Sequence, residues 1–233
     1  MANDAERDEP EGVPTFSNFL SPFSEVEATE RYLPHWQWNG GVYFVTWRLA
    51  DAISQTLLRQ WAEDRRIWLE QHPKPWDATT RVEYQRSFPR RLESWLDSGY
   101  GSCLLRNPAC SGIAAKVMRK FDGERYDIAS FVIMPNHVHA LFQLRGQTKI
   151  HPLLKAWKGT SAREINKHLG RQGTLWLDES RDTSIRSQDH LVRSYLYARR
   201  NPELAGLQAG EYHYYEMPGI DRRIRQLSGD FDE

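Results

Sequence analysis

Two histidines separated by one residue, His137 and His139, stand in the run Pro135-Asn136-His137-Val138-His139. On a β-strand both imidazoles leave the same face, while Val138 leaves the other. Two ring nitrogens held close together make two corners of a divalent-metal site. Taken alone, the pair is more often the mark of incidental histidines, partly buried or at the surface. Its setting favours a metal: the pair follows a tight turn inside an apolar hairpin, where two unpaired polar rings are costly to bury and an ion would offset that cost.

A second group lies on the last helix the pattern predicts. Tyr197 and Asn201 are four residues apart, one turn above the other on one face. Tyr195 falls on the apolar stripe with Leu191, Val192 and Ala198, which makes it a core residue. Tyr197 is about 200° away from it around the helix, beside Arg193, Arg200 and Asn201. A face offering a phenol, an amide and guanidiniums can serve a phosphodiester. An exposed tyrosine near a helix end leaves the same signature.

The elements that must position these groups read as follows. Residues 1–33 are acidic and rich in Glu, Pro and Ser, the composition of a weakly structured tail. Val42 to Trp47 is a β-branched and aromatic strand. Helical stripes follow at Ile53-Leu57-Trp61-Trp68, at Phe88-Leu92-Trp95-Leu96 ending at Gly99, and at Ile113-Val117-Met118-Phe121. Tyr126 to Met134 and His137 to Leu144 make an antiparallel hairpin about a tight turn at 134–136. A helix with Leu154, Trp157, Ser161, Ile165 and Leu169 closes at Gly170. The final helix runs from about Asp189 to Asn201-Pro202. This order predicts an α+β domain, a mostly antiparallel sheet flanked by helices.

Composition narrows the class. Hydrophobic residues make 39% and charged residues 27% of 233, as in a globular chain. No apolar run approaches the roughly 20 residues that cross a bilayer, the N-terminal residues do not resemble a targeting peptide, and Cys103 and Cys110 are too few for a disulfide framework. A cytoplasmic protein with no membrane partner is expected. The formal net charge of zero hides an asymmetry. Residues 1–30 hold eight acids against Arg7, whereas residues 145–200 hold twelve bases against five acids. The second half therefore suits a polyanion, although a solvated helix face would look the same.

Three blocks, in order, resemble a known family. They are Met134-Pro-Asn-His-Val-His-Ala-Leu-Phe142, Trp157-Lys-Gly-Thr-Ser-Ala-Arg-Glu-Ile-Asn166, and Tyr197-Ala-Arg-Arg-Asn-Pro-Glu-Leu-Ala-Gly-Leu207. These are similar to the blocks of the His-hydrophobic-His (HUH) single-tyrosine transposases, above all the REP-associated branch. Trp95 to Pro108 resembles the helical insertion of that branch. The resemblance spans residues 34–215, with an insertion at about 52–121, between the tail at 1–33 and a C-terminal tail at 216–233.

The resemblance implies a ferredoxin-like HUH core. It makes His137, His139 and Asn201 ligands of Mg²⁺ or Mn²⁺ and Tyr197 the catalytic nucleophile. Tyr197 would attack single-stranded DNA, at palindromic hairpins, to leave a 5′-phosphotyrosine and a free 3′-hydroxyl. Lys158, Arg163 and Arg186 are the expected DNA contacts; Trp157 and Trp176 are base-stacking candidates, although the place of Trp157 on the apolar stripe favours core packing. A site completed within one chain implies a monomer rather than a dimer. Two other readings fit some of the residues: a domesticated hairpin-DNA-binding protein that does not cut, and a metal hydrolase that activates water without a covalent adduct.

Overall fold

The computed structural model describes residues 14, 16–19, 27–30, 34–37 and 40–228. Strands β1 (Glu27–Glu30) and β2 (Pro34–Gln37) pair antiparallel with each other. After β3 (Val42–Arg48) come helices α1 (Gln55–Gln71), α2 (Ala78–Ser87) and α3 (Pro89–Asp97). A 3-10 turn at Leu104–Arg106 leads to α4 (Pro108–Arg119). Then follow β4 (Tyr126–Ile133), β5 (His137–Leu144), α5 (Ile150–His168), β6 (Arg181–Ser184), α6 (Gln188–Leu204), β7 (His213–Glu216) and α7 (Ile220–Ser228).

Five strands form one sheet in the order β6-β3-β5-β4-β7, with every neighbouring pair antiparallel. This is the expected α+β class. β5 lies at the centre and is buried on both faces, because helices cover each side. Its even-numbered residues Val138, Ala140 and Phe142 join Tyr43, Val45 and Trp47 in the core shared with α4 and α5, which contribute Met118, Leu153 and Trp157. The other parity faces α6 and α7, where Leu141 packs with Leu191, Tyr195, Ile220 and Ile224. His137 and His139 share that parity, so alternation alone sets them between the sheet and α6.

Side-chain caps account for several helix starts. Ser54 accepts from Leu57 N–H at 3.2 Å, Asp77 from Thr80 N–H at 2.7 Å and Ser187 from His190 N–H at 3.1 Å, each satisfying a donor with no partner inside the helix. Helices α1 and α2 bury no residue fully. They are held by an aromatic group: Trp68 and Trp76 ring centres lie 5.2 Å apart, Trp76 and Tyr84 4.8 Å, and Tyr84 and Phe88 5.4 Å. Leu96 of α3 reaches the main core. Between α3 and the 3-10 turn, Gly101 has φ +87°, and a Cβ there would run into the Asp51 carbonyl.

The structure departs from the sequence reading at several elements. The final helix does not stop at Asn201-Pro202 but continues to Leu204, with the proline inside it. Pro202 stands in the last turn, where it removes a single intrahelical bond, and Ala205 N–H still reaches the Asn201 carbonyl at 3.0 Å. The segment read as a C-terminal tail at 216–233 contains α7, whose Ile220, Ile224 and Leu227 are buried against α6 and the sheet. Phe16, inside the stretch read as a tail, is fully buried in the same cluster. Most of residues 1–33 and the last five residues lie outside the described residues. Strands β6 and β7 are four residues each, too short to give a periodic signal.

Candidate active site

The hairpin turn is built around Asn136, which is 1% exposed. Its Nδ2 donates to the carbonyls of Leu96 at 3.0 Å and Tyr100 at 3.1 Å, on either side of Asp97. Carbonyls only accept, so this orients the amide and leaves its Oδ1 as an acceptor, 2.8 Å from His137 Nδ1. His137 must therefore carry its proton on Nδ1 when neutral, with a lone pair on Nε2. That nitrogen lies 3.1 Å from His139 Nε2, while His139 Nδ1 meets Thr46 Oγ1 at 2.7 Å. Both rings are 1% exposed. Burial pushes the His137 imidazole down to about 3, and burial with the neighbouring His137 and Arg181 pushes His139 far below the usual range. Both rings are thus neutral and able to donate lone pairs.

Tyr197 stands beside them. Its ring meets His139 edge-on at 5.2 Å between centres, and Phe44 stacks on His139 at 5.5 Å while meeting Tyr197 edge-on at 6.0 Å. One turn along α6, Asn201 is fully buried, and both its side-chain oxygen and nitrogen lack hydrogen-bond partners. The amide lies near His137 and Tyr197 without a full hydrogen bond to either. Tyr195 is on the far side of the helix, fully buried, its hydroxyl donating to Glu216 at 2.8 Å. Burial and then Glu216 push the Tyr195 phenol up to about 12. Burial, then the charges of Glu93 and Asp97, raise the Tyr197 phenol above its ordinary range, opposed by Arg181 and Asn201.

Two open clefts meet at Tyr197. One, of about 380 Å³, is lined by Arg90, Glu93, Ser94 and Asp97 among others. The second, of about 250 Å³, is lined by Thr46, Glu93, Arg181 and Arg193 among others. Asp97 Oδ1 is 4.0 Å from His137 Nε2, and its carboxyl is pushed up to about 6 by burial and by Glu93. Glu93 pairs with Arg181 at 3.1 Å. Across the sheet, Arg48 is in register with His137 and on the same face, with one guanidinium nitrogen buried and unpartnered. Among the described residues, no three His, Cys, Asp or Glu side chains are gathered tightly enough to form a metal cluster as they stand, Asp97 Oδ1 lying 4.0 Å from His137 Nε2. The orphaned Asn201 amide and the two Nε2 atoms 3.1 Å apart nevertheless fit an ion with mixed nitrogen and oxygen donors.

The expected DNA contacts fare differently. Lys158 is not a free cation: its ammonium donates to the carbonyls of Leu177, at 3.0 Å, and Asp178, and burial lowers its pKa. Arg163 is exposed on α5, which packs on the sheet face opposite the histidines. Arg186 is exposed at the start of α6, near His190, which lines the second cleft. Trp157 and Trp176 are 3% and 5% exposed core residues, and Trp176 Nε1 donates to Ser161 Oγ at 2.9 Å, so neither can stack a base. Sequence reasoning missed Thr46, Arg48, Glu93, Asp97 and Arg181. The only available signal was the four-residue spacing of Glu93 and Asp97 in the insertion.

Residues 106–196 match the family model described as "Transposase IS200 like". The match takes in both histidines and ends one residue before Tyr197. No curated protein matches the chain. Among solved structures the chain is similar to a REP-associated tyrosine transposase bound to a REP hairpin, with 17% identity and a TM-score of 0.42 over 77% of this chain and 76% of that one. It is also similar to a protein of Deinococcus radiodurans R1 assigned as a transposase, with 16% identity and a TM-score of 0.35 over 72% and 94%. By its sequence, the segment 106–196 that holds the histidine hairpin is similar to the IS200-like transposase family.

Proposed function

We propose that the protein is a metal-dependent transposase that cuts and rejoins single-stranded DNA through a covalent bond to Tyr197. The observation that carries this reading is the phenol standing 5.2 Å, edge-on, from the buried His139 ring, at the junction of two open clefts. Tyr195, the alternative nucleophile, is fully buried with its hydroxyl engaged by Glu216.

In this reading the Tyr197 oxygen attacks the phosphorus of a phosphodiester. The bond from phosphorus to the 3′-oxygen breaks, that oxygen takes a proton to become a 3′-hydroxyl, and the 5′-phosphate remains on the tyrosine. Glu93, which interacts with the phenol, is the carboxylate offered to receive its proton. Reversal, with a 3′-hydroxyl attacking the phosphotyrosine, releases the phenol and rejoins strands without a nucleotide cofactor. His137, His139 and Asn201 would hold Mg²⁺ or Mn²⁺. Such an ion supplies charge that polarises a phosphoryl oxygen and favours the phenolate. Arg181 and Arg193 in the second cleft, with Arg186 nearby, are the cations offered to the DNA backbone. We extend the reading to hairpin DNA, and to a monomer because Tyr197 stands against His139 of its own chain.

The test uses the full chain, end-labelled hairpin DNA and Mn²⁺, resolved on a denaturing gel. A protein–DNA adduct that Tyr197→Phe abolishes and Tyr195→Phe keeps is the expected result. Cleavage without an adduct would point to the hydrolase, and bound but uncut DNA to the domesticated binder.

A further inference from the structure

We propose that Asp97, from helix α3, is itself a ligand of the divalent ion, so that the helical insertion supplies part of the metal site. The inference rests on the function proposed above.

Three observations converge on it. Asp97 Oδ1 is buried, has no hydrogen-bond partner, and points toward His137 Nε2 from 4.0 Å. That nitrogen has no proton to offer it, because Asn136 Oδ1 holds the His137 proton on Nδ1. A carboxylate oxygen facing a lone pair is unfavourable unless something positive stands between them. Second, Asn201 is fully buried with both polar side-chain atoms unpartnered beside the same nitrogen pair. Third, the separations suit one ion. Bonds of about 2.1 Å in octahedral geometry put adjacent donors about 3.0 Å apart and opposite donors about 4.2 Å apart. The two Nε2 atoms are 3.1 Å apart, and Asp97 Oδ1 is 4.0 Å from His137 Nε2.

Charge points the same way. His137, His139 and Asn201 are neutral donors, and a doubly charged ion among them alone would be poorly compensated in a buried site. Asp97 supplies the missing negative charge. Its placement is not left to a flexible insertion: Asn136 ties the backbone at Leu96 and Tyr100 while also orienting His137. One amide therefore fixes the carboxylate and the imidazole relative to each other.

Calorimetric titration of the full chain with MnCl₂ tests this, with thermal melts in chelator and in Mn²⁺. We expect Asp97→Asn and Asp97→Ala to weaken Mn²⁺ binding about 10–100-fold, as loss of a supporting group at a metal site commonly does. Their melting temperatures in chelator should equal or exceed wild type, since an unpartnered buried oxygen is removed or neutralised. A merely structural role predicts the opposite melt. Asp97→Asn keeps the side chain's shape, so the test survives if Asp97→Ala does not fold. Wild-type Mn²⁺ affinity in both Asp97 variants, with binding lost in His137→Ala, overturns the proposal and leaves the histidine site standing. Absence of Mn²⁺ binding by the wild-type chain overturns both.

Discussion

Asn136 is the residue on which most of the candidate site depends. It orients His137, holds the end of α3 through two carbonyls, and is itself buried. Asn136→Ala strands the buried Leu96 carbonyl, removes a second bond to the Tyr100 carbonyl and frees the His137 tautomer. The expected loss is about 1–3 kcal/mol of stability and about 10–100-fold in Mn²⁺ affinity, read by urea unfolding in chelator and by calorimetry. At this scale the sequence was readable wherever a side-chain period fixed a direction. Two-residue spacing put His137 and His139 on one face, and helical spacing separated Tyr197 from Tyr195. It was unreadable where a contact closes over long distance along the chain. Thr46 reaches His139 across 93 residues, and Asp97 reaches the site only because α3 docks on the hairpin turn. Lys158 looked like a free cation because nothing local reveals that two carbonyls from the 177–178 loop cap its ammonium.

Helix α7 shows what an element can hide from pattern reading. Its three buried residues, Ile220, Ile224 and Leu227, follow helical spacing, but the surrounding acids and arginines give the stretch the composition of a tail. Asp221 anchors it, accepting from Arg225 and from Arg199 of α6. The hydrogen bond from Arg225, and then that from Arg199, hold its carboxyl below the usual range. A depressed carboxylate pKa stabilises the fold above the unfolded value of about 3.9 and loses that contribution as pH falls through the folded value. Asp221→Asn should therefore lower the melting temperature at pH 7, and the gap to wild type should close below about pH 4. A gap unchanged down to pH 2 would contradict the linkage. Gly101 is the corresponding point in the insertion. Gly101→Ala places a side chain at positive φ against the Asp51 carbonyl, and should cost about 1–3 kcal/mol in urea unfolding.

Across the whole molecule, a five-stranded sheet covered on both faces gives one buried side to structure and the other to chemistry. The face under α4 and α5 is apolar and aromatic, while the face under α6 carries the histidines and opens to clefts rimmed by Arg181 and Arg193. The α+β class and the central hairpin followed from period and turn chemistry. The short edge strands β6 and β7 did not, because four residues recruited by pairing to β3 and β4 are too few to leave a periodic trace. A site drawn from one chain also predicts that mixing His137→Ala with Tyr197→Phe restores no adduct; a shared dimeric site would restore part of it. The central claim is that Tyr197 forms the covalent bond. Tryptic mapping of the Mn²⁺-dependent DNA adduct by tandem mass spectrometry tests it most directly, because Tyr195 and Tyr197 fall in one peptide, Ser194–Arg199, and fragment ions separate them. A phosphonucleotide on Tyr197 is the expected result. The same mass on Tyr195, or none on this peptide, would contradict it.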